Sequence, residues 1–128
     1  MKKLIRLITL AMAGLVFGAC DYNKSSEITP TVKDDVSFKL DIQPIFNQEC
    51  VMCHKPMMGV KPDLRDGFAY QSLMGLPEGS IVPGDAEGSE LNDMLHGGGD
   101  NPMPPGGSMK PTHVALIKKW IDEGALDN

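Results

Sequence analysis

Cys50-Val51-Met52-Cys53-His54 places two thiols three positions apart, with a histidine directly after the second thiol. This spacing is typical of covalent attachment of a c-type haem. Each thiol can add across a vinyl group of the haem to form a thioether, and the neighbouring histidine then presents its imidazole to the iron. The stretch therefore predicts one covalent haem c, bound by Cys50 and Cys53, with His54 as an axial ligand of the iron.

Two other uses of a Cys-x-x-Cys pair are the alternatives. A thioredoxin-like redox pair needs no histidine after the second cysteine and usually follows a strand. A structural zinc site needs four ligands, and the chain has no second Cys/His pair at ligand spacing. The sequence favours haem over a bare redox pair or a metal pair.

The N-terminus has the pattern of a bacterial export signal. Basic residues lie within residues 1–6, an apolar run covers 7–17, and two small residues precede Cys20. The run is too short for a retained membrane span, so residues 1–19 are predicted to be a signal peptide. Small residues before a cysteine resemble the lipoprotein processing site, which predicts lipid attachment at Cys20. Phe17 departs from the leucine usual at its position, so ordinary signal-peptide cleavage is the alternative.

Export predicts both the location of the protein and the use of its cysteines. In bacteria c-type haem is attached outside the cytoplasmic membrane, so the export signal and the haem motif agree. We predict a protein of the cell envelope, anchored to a bacterial membrane by lipid and facing the periplasm or the exterior. With Cys20 on lipid and the other two cysteines on haem, none of the three is left for a structural disulfide.

Length and charge limit the function further. The 128 residues suffice for one small domain, and their formal net charge is −5. Removal of residues 1–19 leaves 9 basic and 17 acidic residues, a charge of about −8. Nucleic-acid binding requires a basic face and is therefore excluded. An acidic protein is steered toward basic patches on its partners.

The remaining chain divides into a tether and a helical domain. Residues 20–36 are polar, lack a sustained period and contain Pro30, which predicts a flexible tether. Residues 37–128 are predicted to form an all-α domain, because apolar residues repeat there at spacings of three and four and no segment alternates as a strand. Four helices are expected: from Ser37 to Cys50 with Asp41 as a cap, Gly67 to Met74 capped by Asp66, Ser89 to His96, and Thr112 to Gly124 capped by Thr112.

The domain has few large apolar residues for its size. Its aromatic residues are Phe38, Phe46, Phe68, Tyr70 and Trp120. A chain this short and glycine-rich struggles to bury enough apolar surface unaided. A haem would supply a large flat apolar body for the helices to pack against.

A second axial ligand has to come from elsewhere in the chain. A thioether sulfur is a soft ligand that favours ferrous iron. Met103 lies between Pro102 and Pro104-Pro105, whose rings restrict the backbone and remove N–H donors. We predict Met103 as this ligand. Met109 is the second candidate, and His96 or His113 is the third. The other methionines are set aside, because three lie too close to the attachment motif and two occupy apolar helix positions: Met52, Met57, Met58, Met74 and Met94.

Pro62 is predicted to support His54. A metal-bound histidine usually donates its other ring N–H to an acceptor. Pro62 follows His54 by eight residues, and its carbonyl is expected to be outside any helix and available for this bond.

Several pieces of the chain together resemble a class I-like c-type cytochrome domain over about residues 37–126. They are Ile42-Gln43-Pro44-Ile45-Phe46, Cys50-x-x-Cys53-His54, Pro62-x-Leu64, Ser89-x-Leu91, Met103-Pro104-Pro105 and Trp120-Ile121-x-x-Gly124-Ala125. The likeness is to the small domains of exported bacterial cytochromes and lipoproteins. The resemblance implies a small cytochrome c-like helical domain wrapped around one covalent haem, with His54 and Met103 as axial ligands.

The expected function is one-electron transfer with membrane-associated redox proteins, alone or as a subunit of a larger oxidoreductase system. With both axial positions filled, no substrate site exists at the iron, and a peroxidase-like distal acid/base constellation is missing, so an enzyme is not predicted. The alternative is a haem-based sensor or ligand-binding module with an exchangeable distal position. Carbon monoxide binding to the reduced protein would distinguish the two.

Overall fold

The computed structural model describes residues 31–98, 100–107 and 109–128, and this part of the chain is all-α, with no strand. Helix α1 joins a π-helical turn, Phe38–Ile42, to an α-helical part, Gln43–Glu49. The remaining helices are α2 (Ala69–Met74), α3 (Glu90–Leu95) and α4 (Pro111–Asp122), with a 3-10 turn at Pro56–Met58. The predicted signal peptide, the lipid-attachment residue Cys20 and the tether up to Pro30 lie outside the described residues. No helix within these ranges is long and apolar enough to cross a membrane.

Ser37, not Asp41, caps the start of α1. The Ser37 hydroxyl accepts from the N–H of Leu40, and the Asp41 carboxylate accepts from the N–H of Ser37 at 2.8 Å. The Ser37 hydroxyl thus pairs with an N–H of the first turn, and the Asp41 carboxylate reaches back to the N–H of the capping residue, as in a capping box. The predicted cap at Asp41 is wrong by four residues because the helix starts one turn earlier. Pro44 lies in the first turn of the α-helical part, where a missing N–H costs little.

The buried centre of the fold is an aromatic cluster between α1, α2 and α4. The Phe38 ring lies 5.2 Å from the Trp120 ring and 5.3 Å from the Tyr70 ring, centre to centre. Phe46 joins the cluster at 6.1 Å from Phe38. Trp120 donates from its indole nitrogen to the Leu126 carbonyl, and Tyr70 donates to the Ala125 carbonyl. The buried polar tips are therefore satisfied, and the rings contribute their full apolar area.

Helices α2 and α4 begin without the predicted side-chain caps. Helix α2 starts at Ala69 with Phe68 at its N-cap position, and α4 starts at Pro111 after Lys110. No side chain hydrogen-bonds to the first turn of either helix, so Asp66 and Thr112 are not caps. Pro111 explains the start of α4, because the ring sets a helical φ angle and has no N–H to satisfy.

Phe68, one of the few aromatic residues of the domain, does not belong to the core. Its side chain is 55 % exposed, and the Arg65 guanidinium lies over its ring at 4.8 Å. The later start of α2 leaves Phe68 in the preceding turn, where its ring faces solvent.

The segment between α2 and α3 is fixed to the C-terminal end of α4. Gly84 donates its N–H to the Ile121 carbonyl at 2.8 Å, and the N–H of Ala86 donates to the Asp122 carboxylate at 2.9 Å. The buried Ser89 hydroxyl accepts from the Val82 N–H and donates to the Asp85 carbonyl. These bonds hold the start of α3 against the rest of the fold.

The packed domain begins before Ser37, where the tether was predicted to end. Val36 is buried, and the Glu123 carboxylate accepts from the N–H groups of Asp35 and Val36 at 3.2 and 2.8 Å. The Lys119 Nζ lies 3.1 Å from the Asp34 Oδ1. The end of the predicted tether therefore forms part of the domain.

Candidate functional site

The attachment motif continues α1 as one turn of backbone. The Cys50 carbonyl accepts from the N–H groups of Cys53 at 3.1 Å and His54 at 2.9 Å. The turn thus brings the two cysteines and the histidine close together along the backbone.

The His54 ring is held in one tautomer by Pro62. Its Nδ1 lies 3.1 Å from the Pro62 carbonyl oxygen. Because a carbonyl can only accept, Nδ1 carries the proton and Nε2 keeps its lone pair. The main chain adds a second tie, since the Leu64 N–H donates to the His54 carbonyl at 3.0 Å. The structure thus brings together the two groups that the sequence paired, and the role of this bond toward an iron ligand stays a prediction.

Gln43 connects α1 to the segment that holds His54. Its side chain is 4 % exposed, and its Nε2 donates to the Leu64 carbonyl and to Asn47 Oδ1, both at 3.0 Å. At the other side of the segment, the Asp63 N–H donates to the Ser72 hydroxyl at 2.8 Å. Residues 62–64 are therefore fixed from α1 and from α2.

A largely apolar cavity of about 380 Å³ adjoins His54 and Cys50. This volume falls in the range of pockets that bind small molecules and cofactors. Its polar wall consists of Lys61, Ser80, Glu90 and Asn101 besides the imidazole. The rest of the wall is mainly aliphatic and comes from all three helices α1 to α3 and from the loops beside them: Phe46, Pro62, Leu64, Leu73, Leu76, Pro77, Leu91, Met94, Leu95 and Met103.

Met103 is one of two methionines on the cavity wall. It lies in the loop after α3, and its N–H donates to the Met94 carbonyl at 2.9 Å. This bond folds the loop back onto the end of α3 and places both thioethers beside the same space. Met94 was assigned to the core from its helix position, but it is half-buried and lines the cavity.

The other proposed axial ligands lie elsewhere. Met109 is 6 % exposed within the hydrophobic core and does not line the cavity. His96 Nδ1 lies 2.8 Å from the Asn92 carbonyl of its own helix. His113 Nδ1 lies 3.2 Å from a Glu49 carboxylate oxygen, without hydrogen-bond geometry. None of these three side chains lines the cavity that His54 and Met103 share.

The two thiols differ in their surroundings. Cys50 is half-buried on the cavity wall, and burial, followed by the charges of Glu49 and Cys53, raises its pKa to about 11. Cys53 is exposed and is not part of the wall. Both are free thiols, and the described residues contain no group of three or more His, Cys, Asp or Glu side chains able to hold a metal ion.

Sequence reasoning missed most of the cavity wall beyond the motif. Leu73 and Leu76, at and just after the end of α2, and Asn101 after α3 come from two separate parts of the chain, and only the tertiary fold brings them to His54. Ser89-x-Leu91 was noted for its likeness to a known pattern, and Leu91 does reach the wall. Helical spacing marks Leu91 and Met94 as apolar, but it does not distinguish a core position from a cavity position.

The comparisons with known proteins leave the family open. No protein-family model matches the chain, and no curated protein or solved structure matches it significantly.

Proposed function

We propose that the protein is an electron carrier with one covalent haem c, held by Cys50 and Cys53 and ligated by His54 and Met103. One observation carries the proposal: the Cys-x-x-Cys-His turn, a histidine with its Nε2 lone pair free, and a thioether from a distant loop meet at one apolar cavity. When bound there, the haem would supply reversible one-electron exchange at its iron.

The residues present suit such a group. Aliphatic walls match an apolar ring, the cavity adjoins the Cys50 thiol, and the Pro62 carbonyl orients the imidazole. The exposed Cys53 belongs to the solvent side of the same turn. The Pro62 bond would also strengthen His54 as a ligand. The small cytochrome c-like fold expected from the sequence is part of this proposal.

The thiol environment disfavours a redox-active cysteine pair. Reactive cysteines have a lowered pKa, whereas burial and neighbouring negative charge raise that of Cys50 to about 11. A structural zinc site needs four ligands, and the described residues contain no cluster of three or more His, Cys, Asp or Glu side chains that could complete one at this pair.

The alternative function is a haem-based sensor with an exchangeable distal position. The half-buried Met103 lies in an irregular loop, and a second thioether, that of Met94, stands beside it. An exchangeable distal ligand would open the iron to a gas. We place the carrier first because Met103 on the cavity wall offers a second ligand that would fill the distal position.

The proposal includes location and partners. Signal peptide 1–19 and an acyl chain on Cys20 would keep the domain in the cell envelope, facing the periplasm or exterior. The tether would raise its encounter rate with membrane-associated redox proteins through effective concentration. Redox encounters of this type are weak and transient.

The test is the visible and near-infrared absorption spectrum of protein made with the c-haem maturation machinery. Sharp reduced bands of covalent haem, and the weak near-infrared band of sulfur–iron(III) coordination, are expected. Met103→Leu should abolish that near-infrared band. Met94→Leu is the matched control, because it removes the other thioether of the same cavity.

Three other outcomes would revise the proposal. Loss of the band in Met94→Leu alone would transfer the axial role to Met94. A high-spin spectrum, or carbon monoxide binding by the reduced native protein, would put the sensor first. If no covalent haem forms, the alternatives of a redox pair or a metal pair at Cys50 and Cys53 would be favoured.

A further inference from the structure

Apolar residues within and just after the attachment motif form an exposed patch. Met52, Met57, Met58 and Val60 have exposures of 79, 92, 56 and 41 %. Met52 lies between the two cysteines, and the other three lie in or next to the 3-10 turn Pro56–Met58 that follows the motif. We name these four residues the methionine patch. Exposure of several apolar side chains in one short segment is typical of an interaction surface.

The charge around the methionine patch is opposite to that of the whole protein. From Val51 to Pro62 the chain contains Lys55 and Lys61 and no Asp or Glu, although the net charge is −5. Among the described residues, neither lysine forms an ion pair. The acidic residues that flank the segment are occupied elsewhere, since Asp63 pairs with Arg65 and Glu49 lies beside His113.

We propose that the methionine patch, with Lys55 and Lys61 at its rim, is the docking surface for a redox protein that presents an acidic rim around an apolar centre. The inference rests on the proposed function, because the patch adjoins Cys53 and therefore the edge where electrons would enter or leave. Charge complementarity selects the partner: the local lysines attract an acidic rim, and the protein's remaining negative charge orients this face toward it. Methionine side chains adapt their shape, which suits brief contacts with more than one partner.

A lipid surface fits these observations less well. Recognition of anionic membranes takes clusters of about four to eight basic residues. The patch has two, on a protein whose other faces are acidic. An acidic protein surface needs only a few complementary charges to steer a transient encounter.

The first experiment measures binding of the haem-loaded protein to carboxylate-terminated monolayers on gold by surface plasmon resonance, at low ionic strength. Tighter binding to carboxylate than to amine surfaces is expected, despite the net negative charge. Lys55→Gln should weaken that binding about fivefold, the effect of one lysine near an anionic surface. Lys39→Gln is the control, since Lys39 is exposed in the first turn of α1, whose other end leads into the attachment motif. Lys61 is left unchanged because it also lines the cavity.

The second experiment tests the apolar centre. Mixed monolayers of carboxylate with methyl groups are compared with mixtures of carboxylate and hydroxyl groups. Met57→Gln with Met58→Gln should weaken binding to the methyl mixture and leave the hydroxyl mixture unaffected. Leu40→Gln is the control, because Leu40 is 77 % exposed at the other end of α1.

The outcomes separate this inference from the proposed function. Preference for amine surfaces, or equal losses in Lys55→Gln and Lys39→Gln, would overturn the docking surface while haem spectra remain intact. Binding is measured by mass, so it is informative even if the spectrum shows no haem. Equal dependence on Lys55 in binding to phosphatidylglycerol vesicles would replace the protein partner with a lipid surface.

Discussion

The two halves of the domain are packed in different ways. On one side, Phe38, Tyr70 and Trp120 meet edge to face between α1, α2 and α4, and their polar tips bond to carbonyls. On the other side, leucines and methionines of α2, α3 and the loops surround a cavity of about 380 Å³. The first half is a finished core, whereas the second has aliphatic walls with no side chain between them. The shortage of large apolar residues noted in the sequence is thus confined to one half.

The largest effect is expected from breaking the aromatic half. Trp120→Ala should cost about 3–5 kcal/mol of unfolding free energy, because the ring is 1 % exposed and touches Phe38 and Tyr70. The loss should be the same with and without haem, as measured by denaturant unfolding of both forms. A loss confined to the haem-loaded form would show that the two halves are not independent.

Leu91→Ala tests the cavity half, and its cost in unfolding free energy should depend on whether haem is bound. Leu91 is half-buried and lines the cavity. Its truncation should cost about 0.5–1 kcal/mol in the haem-free protein and about 2 kcal/mol when haem covers it, since the apolar area removed from water differs. Leu116→Ala, at a half-buried position of α4 outside the cavity, is the control. Equal costs for Leu91→Ala in both forms would mean that haem does not contact this wall.

Gln43→Leu tests the link between the halves. The substitution keeps the volume and removes the donor to the Leu64 carbonyl, a buried acceptor, at a cost of about 1–2 kcal/mol. Because residues 62–64 also hold His54, the midpoint potential of the haem should shift as well. Asn47→Ala removes only the other bond of Gln43 and should leave the potential unchanged. An unchanged midpoint potential in Gln43→Leu would show that α1 does not help to position His54.

The sequence predicts well what depends on neighbouring residues. Helix α4 has apolar residues at spacings of three and four, which predicts that five of them face inward. Leu116 is half-buried, and the other four are buried: Val114, Ile117, Trp120 and Ile121. The attachment turn is equally local, since its spacing is that of one helical turn. Gly124 ends α4 with a φ of +102°, a conformation that glycine adopts without strain.

Features that depend on tertiary contacts were not predictable in the same way. Asp66 and Thr112 have suitable side chains for caps, but the backbone enters each helix elsewhere. Val36 reads as part of a polar tether until its partner Glu123, far along the chain, is known. Met94 was set aside for its apolar helix position and Met109 was kept as a candidate ligand, yet the tertiary packing places Met94 beside the cavity and Met109 in the core.

The smallest effect is expected where the start of the domain is fastened to the aromatic half. The N–H of Val36, with further help from Lys119 and Asp35, holds the pKa of Glu123 below its ordinary value. A carboxyl with a lowered folded-state pKa contributes stability that is present above its ordinary pKa of 4.5 and is lost as the pH falls through the folded value. Glu123→Gln should therefore lower the unfolding temperature slightly at pH 7 and reduce its decline on acidification. Thermal unfolding from pH 7 to pH 3 measures this, with the exposed Glu78→Gln as control. If the native protein and Glu123→Gln decline in parallel with acid, this carboxylate does not fasten residues 35–36 to α4.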